Sequence, residues 1–406
     1  MRAGIDRLHA LPHLVRSLRS RRVALLAHPA SVDRHLVHTH RVLLSLGVRP
    51  RTLFGPEHGY GGEAQDMIGV DHAVDPETCA PIISLYGDSF DKLSPSAEAL
   101  RDHDALLVDL ADVGSRYYTF VWTALLAIRA ALRAGMQCVV LDRPNPIGGT
   151  IDTVEGQHQK PGFLSFVGLE PVPIRHALTL GEMIAELCAR DGVSVGPDRQ
   201  VEVVAVDGWE RHELGWDWDR PFVYPSPNMP TVDTALVYPG GCLLEGTNLS
   251  EGRGTTRPFE VLGAPWLDGV RLARELAALD LPGYVARPLT FQPMFHKHAG
   301  QVCGGVQIHV TDARRFRPVA TYLAVLAIAR RIGGDQFRFR TERYEFVDDI
   351  PAIDLLLGSS DAREAMVSGQ PVERIIEMVC PVDTSYAETH ARAVARVLDS
   401  ARSDEV

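Results

Sequence analysis

Gly55-Pro-Glu-His-Gly59 directly follows the short apolar run Arg51-Thr-Leu-Phe54. Such a run reads as a buried strand, and glycine and proline on both sides of Glu57 and His58 read as a sharp turn at its end. In an open α/β sheet, ligands bind beyond the carboxyl ends of the strands. A carboxyl and an imidazole side by side there are equipped for proton transfer. The plainer alternative is a Glu–His pair that caps a helix or bridges a loop.

Two more apolar runs end in polar clusters. Ala105-Leu-Leu-Val-Asp109 leads into Asp112, Gly114, Arg116, Tyr117, Tyr118 and Thr119. Cys138-Val-Val-Leu-Asp142 leads into Arg143, Asn145, Gly148, Gly149 and Glu155. Parallel neighbouring strands would bring all three ends to one crevice. Later segments contribute Ser226 and Asn228, then Glu245, Asn248, Glu251 and Arg253 within Glu245–Thr256. Carboxylates and amides bind hydroxyls, tyrosines give stacking faces with a polar tip, and arginine grips a carboxylate in a fixed fork. The inventory suits a polar, hydroxyl-rich, anionic small molecule.

Each group also has a structural reading. Asp109 and Asp142 suit caps, Arg116 a surface pair, Tyr117 or Tyr118 a core position, Asn145 and Asn228 proline-flanked turns, and Glu251 with Arg253 an ion pair. His296 and His298 lie close together but have no third ligand nearby, so no metal is expected. The first strand is not followed by GxGxxG. GxxxxGK[ST] and HExxH do not occur either, which removes the signatures of dinucleotide, nucleotide and metalloprotease sites. No cofactor is expected.

The elements that must hold these groups are legible in outline. Val23–Ala27, Thr52–Phe54, Ile82–Ser84, Ala105–Asp109 and Cys138–Asp142 are continuously apolar, as in a parallel sheet covered on both faces. Val42–Leu46 reads as helical up to Gly47. Val121, Leu125, Ile128 and Leu132 share a helical face that ends before Gly135. This β-α-β rhythm predicts an α/β fold with a Rossmann-like, doubly wound, mostly parallel sheet. Residues 145–262 read as loop-rich, with a rigid connector at Pro225–Pro230 and a long loop from Gly240 to Thr256. Past 263 the texture changes to helix Val270–Ala278, the alternating strand Gly305–Val310, and helices near Pro318–Ile332 and Thr389–Ala401. The expected division is a catalytic domain at 1–262 and a smaller α+β domain at 263–406.

The chain has 406 residues, 45% hydrophobic, and a net charge of −11. That length suits two domains with a core that needs no disulfides. No Lys/Arg block offsets the acidic balance, which argues against nucleic acid and anionic membrane as partners. The six cysteines show no CxxC spacing. Neither a signal-peptide core nor a membrane-length apolar run is visible, so membrane insertion is not expected. As written the chain reads as cytoplasmic, with export left open. The sequence carries no indication of oligomeric state.

Taken together, Phe54-Gly-Pro-Glu-His-Gly59, Asp109–Thr119, Leu141–Gly149, Val154-Glu-Gly156, Pro225–Thr231, Tyr238-Pro-Gly240, Glu245–Thr256 and Gly263-Ala-Pro-Trp266 resemble the exo-β-N-acetylmuramidases of the NamZ (YbbC-like) type, formerly a domain family of unknown function. The resemblance runs from about Gly4 to the last helix. It implies release of N-acetylmuramic acid from non-reducing ends of peptidoglycan fragments, in a cleft between a Rossmann-like and a smaller domain. Under it, Glu57 is the acid and His58 its orienting partner, with Glu155, Glu245 or Glu251 as the second group. In a substrate-assisted route, Asp112 or Asn228 orients the acetamide. Two departures stand out: Ala27-His-Pro29 where relatives often have Thr-Asn-Pro, and Arg129 and Arg133 where relatives tend to carry glutamates. The alternatives are a non-catalytic binder of cell-wall sugars, or a hydrolase of another anionic small molecule.

Overall fold

The computed structural model describes residues 1–62, 73–381 and 385–403. Seven strands form the main sheet: β1 (Val23–Ala27), β2 (Pro50–Gly55), β3 (Ala73–Val74), β4 (Pro81–Ser84), β5 (Ala105–Asp109), β6 (Gln137–Leu141) and β7 (Val201–Val204), in the order β3-β4-β2-β1-β5-β6-β7. All neighbours are parallel except the β3–β4 edge pair.

Both faces of the sheet are covered, and the cause is visible along single strands. Ala24 and Leu26 of β1 belong to one core cluster, while Val23, Leu25 and Ala27 belong to the other. Cys138 and Val140 likewise part from Val139 and Leu141. With side chains alternating between faces, only an unbroken apolar run satisfies both layers. Helices Phe120–Arg133 and Leu180–Arg190 supply the first layer, and the N-terminal helices with Thr39–Ser45 the second. The crossovers make this a doubly wound α/β sheet. The strand order reverses at β1, so the topological switch point lies between β1 and β5.

A second, antiparallel sheet has the order β8-β10-β9, with β8 at Val261–Ala264, β9 at Tyr284–Phe291 and β10 at Cys303–Val310. Helix Gly269–Ala277 packs against β9 and β10, and helix Pro318–Gly333 packs against that helix and against Val232–Gly241. The final helix, Ser385–Ser403, crosses back onto Leu180–Arg190, where Arg392 and Arg396 pair with the buried Glu186. The segment read as a loop from Gly240 onward instead begins as the end of helix Val232–Gly241. It continues as a 3₁₀ turn, Cys242–Gly246. Helix Leu180–Arg190 fell in the stretch read as loop-rich, although Thr179 and Glu182 form a capping box at its start. Among the described residues, no helix is long and apolar enough to cross a membrane.

Candidate active site

The turn after β2 is unusually tight. A Cβ on Gly55 would lie 2.2 Å from the Tyr60 amide nitrogen, and Gly59 has φ 84°. His58 takes φ 71°, a left-handed conformation that β-carbon sterics disfavour. This backbone sets Glu57 and His58 into the wall of a cleft of about 560 Å³. Thr119, at the N-terminal end of helix Phe120–Arg133, donates its hydroxyl to Glu57 Oε2 at 3.0 Å.

The rest of the wall comes from segments remote in sequence. Ser226 and Asn228 arrive on the proline-rich connector, Glu245 within the 3₁₀ turn, Arg253 on the segment after it, and Tyr344 and Glu345 from a turn almost a hundred residues further on. Arg253 Nη1 donates to Glu245 Oε1 at 2.6 Å and its guanidinium lies 4.9 Å from the centre of the Phe259 ring. The Tyr344 hydroxyl donates to Glu245 Oε2 at 2.7 Å. Tyr118, Phe120, Tyr238 and Phe259 form a chain of edge and tilted ring contacts along one side. Tyr117 also lines the cleft, its hydroxyl bound to the Pro239 carbonyl at 2.9 Å. The Tyr118 hydroxyl is buried and makes no well-formed hydrogen bond within the protein. Burial raises its pKa well above the ordinary tyrosine range, with Ser226 moderating the shift and Asp112 and Glu57 adding to it.

Thus Glu57, His58, Tyr117, Tyr118, Asn228, Glu245 and Arg253 line one cleft. The other sequence candidates lie elsewhere, so the expected single crevice divides. Asp109 is fully buried and bidentate with Arg143, Nη2 to Oδ2 at 2.8 Å, and also accepts from Thr39. Arg143 and Asp112 face a separate recess of about 440 Å³ above the switch point, roofed by Trp218–Pro225. There Asp112 Oδ2 accepts from the Gly114 amide at 2.7 Å and lies 3.5 Å from His176 Nε2, while Oδ1 has no partner. Asp142 caps helix Leu180–Arg190, accepting from the Gly181 amide and the Thr179 hydroxyl. Burial, helped by Glu182, pushes its pKa up to about 7. Asn145 closes its own turn through Ile147 and Leu178.

Arg116, suited to a surface pair on sequence, is instead fully buried. Its guanidinium binds the carbonyls of Gln157, Val172 and Leu356 and the Gln159 side chain. Glu155 receives the amides of Val319 and Ala320 at the start of helix Pro318–Gly333. Burial raises its pKa to about 7 despite Arg175 nearby. Glu251 is fully buried just behind the cleft wall. Burial opposes its charge, but Lys297, the His296 hydrogen bond and Arg253 outweigh that and hold it well below the usual carboxylate range. Asn248 faces another groove and binds the Arg338 amide and the Gln336 carbonyl. Most of these buried charges and amides find partners within the fold, as burial requires.

The two departures from the resemblance also resolve into contacts. His28 is buried at the end of β1. Its Nε2 accepts from the Ala111 amide at 2.9 Å, which leaves Nδ1 to donate to the Pro225 carbonyl at 3.2 Å. Burial, with Arg143 adding to it, keeps the ring neutral by lowering its pKa well below the ordinary histidine range. It ties β1 to the connector that carries Ser226 and Asn228. Arg129 points away from the cleft and pairs with Glu170 and Asp191, each at 2.7 Å. Glu345 and Tyr344 were not singled out in the sequence, where Arg343-Tyr-Glu-Phe346 has no special spacing. The tight turn there, with φ 45° at Glu345 and 71° at Phe346, becomes visible only in three dimensions. Among the described residues, no group of three or more His, Cys, Asp or Glu side chains is arranged to hold a metal ion.

Comparison with known proteins shows the family and the fold. Residues 23–233 match the family model for the N-terminal part of the exo-β-N-acetylmuramidase NamZ, and residues 236–394 match that for its C-terminal part. A peptidoglycan β-N-acetylmuramidase NamZ from Bacillus subtilis (strain 168) is 39% identical over 377 residues, covering 93% of this chain and 86% of the relative. Two crystal structures of DUF1343 family proteins from Bacteroides fragilis share the fold. One has a TM-score of 0.84 at 29% identity, covering 97% of this chain and 98% of the other. The second has a TM-score of 0.71 at 24% identity, covering 98% of each. With both family models matched in order over most of its length, the chain belongs to the NamZ exo-β-N-acetylmuramidase family.

Proposed function

We propose that this protein is a glycoside hydrolase that removes N-acetylmuramic acid from the non-reducing end of peptidoglycan-derived saccharides. One observation carries the reading: Glu57 shares a single cleft with Arg253, Asn228, Glu245 and a row of aromatic rings. An aromatic wall suits the apolar face of a pyranose. Arg253 is the only guanidinium among the described lining residues, and it suits the lactyl carboxylate. Ser226, Asn228 and Tyr118 in the lining suit the acetamide and ring hydroxyls.

In this reading Glu57 gives its proton to the glycosidic oxygen as the bond to the leaving sugar breaks. Thr119 fixes the carboxyl and His58 borders it. Hydrolysis also needs a group on the opposite side of the sugar. Glu245 is the candidate for it, because Glu245 lines the cleft whereas Glu155 and Glu251 are buried outside it. Arg253 and Tyr344 hold Glu245 in place.

The test is mass-spectrometric product analysis with a peptide-free N-acetylmuramic acid–N-acetylglucosamine disaccharide. Free N-acetylmuramic acid and N-acetylglucosamine are expected. A protein whose melting temperature rises with the disaccharide but which never cleaves it would instead be a wall-sugar binding protein.

A further inference from the structure

A second, wider groove of about 1230 Å³ lies behind the cleft wall, and its charge runs against that of the whole chain. The protein carries a net −11, yet this groove is lined by Arg338, Arg340, His296, Lys297 and His298, with Glu342 the one acid among its described lining residues. Lys297 is neutralised by Glu251 at 2.9 Å, and His298 is bound to the Asn248 carbonyl. Arg338 and Arg340 pair with no carboxylate among the described residues. Among the described residues, the Arg340 side chain reaches the Arg343 carbonyl and the face of Tyr344. Two guanidinium groups are therefore left over on an open surface.

The groove and the cleft share a wall. Glu251 lies between Arg253 of the cleft, at 3.5 Å, and His296 of the groove, at 2.9 Å. Arg340 lies 5.1 Å from the centre of the Tyr344 ring, whose hydroxyl holds Glu245 in the cleft. The arginine segment is fastened to the segment that carries Glu245. The Arg340 amide donates to the Gly246 carbonyl at 2.8 Å, and the Arg338 amide donates to Asn248 Oδ1 at 2.9 Å.

We propose that this groove binds a carboxylate on the part of the saccharide that leaves. The proposal rests on the glycosidase reading. An enzyme that clips a terminal sugar encloses that sugar and leaves the remainder outside, so an open groove beside the cleft suits the remainder. A peptidoglycan remainder longer than one sugar carries carboxylates, either the lactyl group of the next muramoyl unit or the acids of a stem peptide. A guanidinium fork is matched to either.

The experiment compares wild type and Arg338→Glu on four substrates: a chromogenic muramide, the peptide-free disaccharide, a peptide-free tetrasaccharide, and that tetrasaccharide with a stem peptide on its internal muramoyl unit. Arg338 is exposed, so reversing its charge leaves the core intact. Loss of one charge-assisted contact should lower kcat/KM on a tetrasaccharide about tenfold, through KM, while the chromogenic muramide and disaccharide are unaffected. A loss on the peptide-free tetrasaccharide identifies the lactyl carboxylate as the ligand. A loss only on the stem-bearing one identifies the peptide. Equal loss on all four substrates, or none on either tetrasaccharide, overturns the groove proposal while leaving the glycosidase reading intact. If the wild type cleaves no muramide at all, both fall.

Discussion

Two regions at the strand ends of the same sheet carry almost the same chemistry and are covered differently. At the ends of β5 and β6, Asp109, Arg143 and Asp142 are closed against one another, Thr39 and the start of helix Leu180–Arg190. At the end of β2, Glu57 is held by Thr119 and lines a cleft. The difference lies in what covers each end. The strand ends at the switch point lie beneath Trp218–Pro225. Residue type and strand-end position therefore do not distinguish a carboxylate that faces a cleft from an enclosed one; the covering segment does.

Substitution on each side of this comparison should separate activity from stability. The largest effect is expected from Glu57→Gln, which should lower kcat about 10²- to 10⁴-fold, the usual contribution of a positioned acid, with little change in melting temperature. A variant that keeps full activity would remove Glu57 from the mechanism. Asp109→Asn should do the reverse. It leaves Arg143 without its carboxylate in a buried site, at a cost of about 3–5 kcal/mol of unfolding free energy by denaturant titration. A stable variant without catalysis would place Asp109 in the chemistry instead.

Tyr118→Phe sharpens the comparison on the cleft side. Its hydroxyl makes no well-formed hydrogen bond in the protein, so removing it should leave melting unchanged or slightly raised. If substrate is the partner, kcat/KM falls about tenfold; unchanged kinetics would make Tyr118 a wall residue only.

The smallest effect concerns Glu155 and is read as a pH dependence. Its pKa in the fold, about 7, is raised above the ordinary 4.5. Between those values the folded protein holds a proton that the unfolded chain has released. Stability should therefore fall as pH rises through this window and stay lower above it. Glu155→Gln should flatten the fall, leaving the share due to Asp142. An unaltered slope would mean that Glu155 titrates in its ordinary range.

Much of this was legible in advance, and the exceptions have a common cause. The unbroken runs at β1, β5 and β6 announced a doubly covered parallel sheet, because alternating faces both needed apolar residues. Helix Phe120–Arg133 followed from its spacing. Helix Leu180–Arg190 had a capping box that was available to be read and was passed over. Glu345 had no local signal at all. Nor did anything near Glu155 reveal that the helix it caps begins more than 160 residues later.

The amino-acid order alone determined the layered sheet, the sharp turn that displays Glu57 and His58, and the supply of polar groups at the strand ends. These follow from short-range sterics and from side-chain periodicity, which neighbouring residues set. Only the tertiary structure decided which carboxylates remain facing a cleft. A charge keeps an open side only where no distant segment closes over it, and partners that enclose Glu155, Glu251 and Asp109 come from elsewhere in the chain.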